Sequence, residues 1–168
     1  MKLTIGSGKY GRQGWTTLDA DPNSGAEIIS TVPPLPHQVT STKWQEIEMI
    51  HSLEHLYAWD AAQLLTEIRS VLAPGGRLVI ELPDLSFAAA VLLGLKERIP
   101  GTVPGQCDMW PIYGDPNHRN PLYGHRWGYT PRTLRQALEA AGFDPGGILQ
   151  MRAQHHVPDR DFRMEALA

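Results

Sequence analysis

The pentapeptide His51-Ser52-Leu53-Glu54-His55 has the residue types and the spacing of a zinc site. Written as H-x-x-E-H, the pattern needs both histidines on one face of a helix and a further acidic ligand from another helix. The segment before it, residues 46–50, has a strand pattern, and the first clear helical pattern begins only near Asp60. This context disfavours a zinc hydrolase, and no metal site is predicted.

A second candidate site is a glycine turn followed by an acidic residue. Gly6-Ser7-Gly8 follows a short strand pattern, so a ligand can approach the backbone and meet its amides. Asp19 ends the next strand, where doubly wound folds use an acidic residue to bind ribose hydroxyls. The two features lie closer together than in the full dinucleotide fingerprint. Together they favour an adenosine-type ligand at the carboxyl ends of the strands.

The elements that must position these residues alternate between strand and helix patterns. The clearest helix begins at Asp60, with Gln63 as a capping-box partner, and ends at Pro74-Gly75-Gly76. Thr130 and Pro131 begin a later helix. Strands are predicted at 2–5, 16–18, 27–32, 46–50, 77–82, 148–154 and 162–167, and another helix at 87–98. This alternation predicts an α/β fold, Rossmann-like and doubly wound, around a mostly parallel sheet.

The first three strands are joined by unusually short connections. A parallel crossover normally needs a dozen or more residues, usually with a helix. The sequence therefore predicts reduced helices around the first three strands and an exposed apolar patch on the uncovered part of the sheet. A second copy of the chain would bury such a patch, which predicts a homodimer.

Composition narrows the class of protein. The 168 residues suit a single domain spanning 1–168, and a net charge of −3 without a basic run disfavours nucleic acid as a partner. The longest apolar run, 87–95, is too short to cross a bilayer, so no membrane association is predicted. Cys107 has no second cysteine to pair with, and residues 1–8 enter a strand without a signal peptide. A soluble, cytoplasmic protein is expected.

The chain resembles a known family over nearly its whole length. The stretches that carry the resemblance are "KLTIGSG", "GWTTLDAD", "HSLEHL" followed by "LLTEIRSVLAPGGRLVIELPDL", and "HRWGYTPRTLRQALEAAGF". They are similar to the compact class I S-adenosylmethionine-dependent methyltransferases of the methyltransferase-11 type. The resemblance implies S-adenosylmethionine as the cofactor, and "RDFRMEAL" resembles that family's antiparallel last strand.

The resemblance also implies a role for individual residues. Gly6, Ser7 and Gly8 would contact the methionine part of the cofactor, and Asp19 the ribose hydroxyls. Residues near the adenine and the sulfonium follow the third and fourth strands: Thr31, Val32, His51 and Leu53. Thr4 and Thr31 stand where many members have an acidic residue, so two charges that would position the cofactor are missing.

Methyl transfer itself requires few protein groups, because the cofactor carries the activated methyl group. The protein aligns the acceptor, and a general base assists when the acceptor is a hydroxyl. His125 and His118 are the first candidates for this base. The predicted acceptor is a small-molecule or glycan-type hydroxyl. The alternative is a catalytically inactive subunit with the same fold that serves as a binding or scaffold partner.

Overall fold

A computed structural model describes residues 1–9 and 11–168, and a seven-stranded sheet forms its centre. The strand order is β3-β2-β1-β4-β5-β7-β6. The strands are β1 (Lys2–Ile5), β2 (Thr16–Asp19), β3 (Ile28–Ile29), β4 (Trp44–Ile50), β5 (Leu72–Pro83), β6 (Ile148–Arg152) and β7 (Asp161–Leu167). The helices are α1 (His37–Thr40), α2 (Ala58–Val71), α3 (Leu85–Leu92), α4 (Met109–Tyr113) and α5 (Pro131–Ala140).

Strands β1 to β5 are parallel, and β7 pairs antiparallel with both β5 and β6. This confirms the predicted Rossmann-like sheet with an antiparallel last strand. The predicted lack of helices between the first three strands also holds within the described residues. All described helices are too short or too polar to cross a membrane.

The structure corrects several element boundaries. β5 begins at Leu72 rather than at residue 77, so α2 ends at Val71, and β6 ends at Arg152 rather than at residue 154. β3 contains only Ile28–Ile29, although six residues were expected, because the chain turns away before the prolines that follow. α2 begins after Tyr57, so the predicted capping by Asp60 is wrong and Asp60 lies in the first turn. α3 ends at Leu92 rather than near residue 98. The start of α5 is confirmed, since Thr130 and Thr133 form a reciprocal capping box ahead of Pro131.

One face of the sheet packs against α2 and α5. Alternate residues of a strand share a face, so the parallel register places Leu3 beside Ile47 and Leu78 on this side. Leu64, Leu65 and Ile68 of α2 and Leu134 and Leu138 of α5 complete a single buried core with them. Each fully buried leucine contributes about 1.5–3 kcal/mol. This core holds the carboxyl ends of the strands in a fixed arrangement.

The opposite face carries a ladder of ion pairs that crosses four strands. Glu46 lies between Lys2 (2.9 Å) and Arg77 (2.7 Å), and Arg77 continues to Glu165 at 3.1 Å. Arg163 then links Glu165 at 2.7 Å to the buried Glu81 at 2.9 Å. At β1 the expected apolar patch is therefore wrong, because charged side chains satisfy one another there; the ladder does not include β2 or β3. Homodimerisation stays a prediction that has lost this support.

The segment between α3 and α5 folds over the carboxyl ends of the strands. It contains α4 and a single 3₁₀ turn, Pro121–Tyr123. Its end is anchored by main-chain bonds, because the carbonyl of Glu54 accepts from the amides of Arg126 (2.8 Å) and Trp127 (3.2 Å). A segment of this length within a compact domain usually has a function.

Candidate cofactor and acceptor site

A cavity of about 1610 Å³ lies at the carboxyl ends of the parallel strands. Single-ligand sites commonly occupy roughly 300–1,000 Å³, so this one has room for a cofactor together with an acceptor. Nine of the ten residues predicted from the sequence line it: Gly6, Ser7, Gly8, Asp19, Thr31, Val32, His51, His118 and His125.

Leu53 is the exception. It begins the 3₁₀ turn Leu53–His55, which directs its side chain into the core, where it is fully buried. The prediction that Leu53 lines the pocket is therefore wrong. Its neighbours Ser52 and Glu54 line the cavity instead.

Gly6 allows two loops to meet at the floor of the cavity. Its φ is 73°, and a Cβ there would lie 2.3 Å from the Cβ of Ser52. Ser52 in turn donates its hydroxyl to the carbonyl of Ile5 at 3.0 Å. The turns after β1 and β4 thus approach so closely that only glycine fits at this position.

Asp19 holds the glycine turn in place. Its Oδ2 accepts from the amide of Gly8 at 2.7 Å, and its Oδ1 accepts from the amide of Asp21 at 2.8 Å. A carboxylate has about four acceptor positions, so each oxygen keeps one for a further donor. This arrangement fits a ribose diol beside an ordered turn.

A carboxylate that sequence reasoning missed lies next to Thr4. The Thr4 hydroxyl donates to Oε1 of Glu48 at 2.9 Å, and Arg12 pairs with Oε2 of Glu48 at 2.6 Å. All three residues line the cavity. β4 is the strand beside β1. Glu48 therefore supplies a negative charge next to Thr4, the position at which many members of the family have an acidic residue.

The folded-over segment contacts the cavity wall next to Asp19 through Asp21. Tyr123 donates its hydroxyl to Oδ2 of Asp21 at 3.0 Å, and the Asn120 amide donates to the same oxygen at 3.4 Å. The three residues line the cavity. The segment thus closes one side of the site through contacts about a hundred positions apart in sequence.

The pentapeptide 51–55 turns sharply beside the cavity, and it contains a 3₁₀ turn rather than an α-helix. His51 has a φ of 49°, and its ring lies between Oε1 of Glu54 (3.3 Å) and Oδ2 of Asp161 (3.2 Å). Burial would lower the pKa of His51, but these two carboxylates outweigh it and raise the pKa to about 9. Burial would likewise raise the pKa of Glu54, whereas His51 lowers it to about 2. The helical zinc-hydrolase arrangement is absent from this turn.

The two candidate bases differ in setting. Nδ1 of His125 donates to the carbonyl of Pro111 at 2.9 Å, and burial lowers the pKa of His125 despite the nearby Glu54. A neutral ring with a hydrogen on Nδ1 keeps a lone pair on Nε2. The side chain of His118 is 59% exposed at the cavity rim, 4.0 Å from Asp115.

Residues 8–145 match the family described as a methyltransferase domain. The chain belongs to that family. The match confirms the predicted class I methyltransferase and, with it, S-adenosylmethionine as the cofactor, whereas the methyltransferase-11 type stays a prediction. No curated protein matches the chain by sequence.

Solved methyltransferases share the fold at low identity. The S-adenosylmethionine-dependent methyltransferase of Archaeoglobus fulgidus has a TM-score of 0.64 and 14% identity, over 99% of this chain and 85% of its own. That of Mesorhizobium loti has a TM-score of 0.61 and 15% identity, over 99% and 90%. The glycopeptide N-methyltransferase MtfA, complexed with S-adenosylhomocysteine, has a TM-score of 0.61 and 14% identity, over 99% and 81%. These likenesses support the fold of the methyltransferase.

Proposed function

We propose that this methyltransferase transfers a methyl group from S-adenosylmethionine to a hydroxyl of a small-molecule or glycan-type acceptor. The observation that carries the proposal is one continuous cavity that joins the Gly6–Asp19 turn to the neutral, buried imidazole of His125. The net charge of −3 disfavours nucleic acid as the acceptor, and none of the described helices is long and apolar enough to cross a membrane. A cytoplasmic location belongs to the same proposal.

The cofactor would lie along the ends of β1, β2 and β3. In this arrangement Gly6, Ser7 and Gly8 present backbone to the methionine part, and the two free acceptor positions of Asp19 bind the ribose diol. Thr31 and Val32 would contact the adenine, and His51 lies toward the sulfonium. When bound, the cofactor supplies an already electrophilic methyl group, so the protein needs only to align the acceptor and exclude water.

Glu48 and Arg12 would bind the amino-acid end of the cofactor. That end carries an ammonium and a carboxylate, and the Glu48–Arg12 pair at 2.6 Å presents one partner of each sign. The bond from Thr4 orients Glu48 toward the cavity at 2.9 Å. In this proposal Thr4 positions the Glu48 carboxylate, which supplies the negative charge that an acidic residue at position 4 would otherwise provide.

Replacing Glu48 with glutamine is expected to weaken binding of S-adenosylhomocysteine by about 10–100-fold, because a charge-assisted contact contributes roughly 1.5–3 kcal/mol. Isothermal titration calorimetry measures the change. Glu46→Gln is the matched control: Glu46 lies on the same strand, pairs with Lys2 and Arg77, and is not part of the cavity lining. Equal affinities of the two variants would rule out the role of Glu48.

His125 is the general base in this proposal. Its Nε2 has the lone pair that a hydroxyl proton requires, and the bond to Pro111 holds the ring toward the cavity. His118 is the weaker candidate, since its exposed ring lacks such an orienting contact with the backbone. Trp110 and Tyr123 also line the cavity and would supply apolar surface to a ring-shaped acceptor.

Calorimetric titration with S-adenosylhomocysteine tests the proposal first. Heat release with saturable binding supports a working cofactor site, and transfer of a labelled methyl group to hydroxyl compounds then tests the acceptor class. The rival function is an inactive scaffold, which the two-residue β3 and the exposed Thr31 at the adenine end favour. No binding at millimolar ligand would overturn the enzyme proposal and support the scaffold.

The homodimer remains part of the proposal and is measured by sedimentation. Contact through the uncovered face would join the ion-pair ladders of two copies. Such an interface weakens as salt screens the charges. A monomer at both low and high salt would contradict it.

A further inference from the structure

Three side chains with metal-binding atoms meet at the acceptor end of the cavity: Glu54, His55 and His125. One ligand atom from each lies within 4.8 Å of the other two. Nε2 of His125 is 3.9 Å from Oε1 of Glu54, and the rings of His55 and His125 have centroids 5.0 Å apart. The first two residues follow β4, and the third comes from the segment that Glu54 anchors through its carbonyl.

Both imidazoles are oriented by backbone carbonyls. Nδ1 of His55 lies 3.2 Å from the carbonyl of Gly124, and Nδ1 of His125 lies 2.9 Å from that of Pro111. A carbonyl only accepts, so each Nδ1 carries the hydrogen and Nε2 of a neutral ring keeps its lone pair. Metal-binding histidines are held in this way, with the second ring nitrogen donating to a carbonyl or carboxylate.

Glu54 lacks hydrogen-bond donors for its carboxylate. The residue is only 2% exposed, and neither oxygen has a hydrogen-bond partner among the described residues. His51 is the nearest cation, with its Nδ1 3.3 Å from Oε1 of Glu54, but its ring also faces Asp161 and its contact with Glu54 lacks hydrogen-bond geometry. A bound cation would satisfy the carboxylate oxygens and the two imidazole lone pairs together, which His51 by itself does not.

We propose that Glu54, His55 and His125 bind a divalent transition-metal ion of the zinc class. Two imidazoles and one carboxylate suit zinc or iron, whereas magnesium prefers oxygen ligands. Three protein ligands leave a coordination position open toward the cavity, and an acceptor hydroxyl is the group that would occupy it. That last point rests on the proposed function, whereas metal binding itself does not.

The metal and base roles of His125 exclude each other, because both use the Nε2 lone pair. With the ion bound, coordination would lower the pKa of an acceptor hydroxyl and make a separate base unnecessary. Without an ion, His51 alone balances Glu54 and His125 remains free to act as the base. Measuring the metal content of the purified protein therefore distinguishes the metal-ligand role of His125 from its role as a general base.

The test measures zinc binding to the full chain after removal of metals with a chelator. Wild type and His37→Ala, an exposed histidine outside the cavity, are expected to bind zinc in equal stoichiometry. Glu54→Gln, His55→Ala and His125→Ala are each expected to lose at least about tenfold in affinity. Cobalt in place of zinc would give visible absorption from a low-symmetry site with nitrogen and oxygen ligands.

Two results would overturn the site: no zinc bound by wild type at micromolar metal, or equal binding by wild type and all three variants. Thermal melting of each variant shows whether it is folded, and the Glu54→Gln variant keeps the carbonyl that anchors Arg126 and Trp127. Titration with S-adenosylhomocysteine on the same samples separates the two proposals. Cofactor binding without zinc binding contradicts only the metal site.

Discussion

The His125→Ala variant is expected to lower kcat for methyl transfer by about 10²–10⁴-fold, the usual contribution of a positioned acid or base. The Nε2 lone pair of His125 is lost in this variant, whether it accepts a proton or binds a metal. The cofactor half of the cavity is unchanged, so affinity for S-adenosylhomocysteine should stay close to wild type. Steady-state kinetics and calorimetry measure the two quantities.

His118→Ala provides the comparison between the two candidate histidines. Its exposed ring at the rim predicts an effect within a few-fold. A larger loss of kcat in His118→Ala than in His125→Ala would reverse the assignment. Treatment of wild type with a chelator separates the roles of His125: unchanged activity supports a base, and lost activity supports a metal ligand.

The Gly6→Ala variant is expected to destabilise the fold by about 2–4 kcal/mol, through a steric clash and a strained positive φ. The new Cβ would lie 2.3 Å from that of Ser52, so the turns after β1 and β4 would have to separate. Because the same turn is proposed to contact the cofactor, binding of S-adenosylhomocysteine should fall below detection. Urea unfolding and calorimetry measure both effects.

Gly14→Ala is the matched control for Gly6→Ala. Gly14 has a φ of 80°, but a Cβ there would meet no atom within 4 Å. It shares the backbone strain without the clash, so a loss of about 1–2 kcal/mol is expected. Equal losses in the two variants would show that the contact with Ser52 is unimportant.

Local patterns in the sequence predicted most elements of this methyltransferase. The start of α5 followed from Thr130 and Pro131, because a cap and a favoured first residue act within one turn. Asp60 was mistaken for a cap because its sequence context resembles one, whereas packing of the apolar face begins the helix at Ala58. β3 was predicted too long, since strand propensity does not show where pairing ends.

The placement of the glycine turn and Asp19 at one edge of the sheet was also predictable. A glycine turn after one strand and an acidic residue after the next meet at one edge whenever the strands are parallel neighbours. Gly6 and Asp19 illustrate this, because β1 and β2 pair directly. The prediction that Leu53 lines the cavity was wrong because a single 3₁₀ turn decides whether a side chain enters the core or the cavity.

The contacts of Glu54 and Glu48 in the cavity needed the tertiary structure. Glu54 and His125 are separated by 71 positions, and only the folding of the intervening segment brings them within 3.9 Å. Glu48 reaches Thr4 across 44 positions through the register of β1 and β4. Such contacts depend on the strand order and on the path of a long loop, for which the sequence has no periodic signal.

The sequence by itself determined the sheet, its buried face, the short crossovers and the residues of the glycine turn, because these depend on periodicity and on neighbours a few positions away. The tertiary structure decided the character of the sheet face opposite α2 and α5, where a charged ladder crosses β1, β4, β5 and β7, since charge pairing across four strands depends on their order. The tertiary structure also decided which residues of the pentapeptide 51–55 are placed to take part in chemistry. His51 is held between Glu54 and Asp161, and Glu54 and His55 join a histidine from a distant segment.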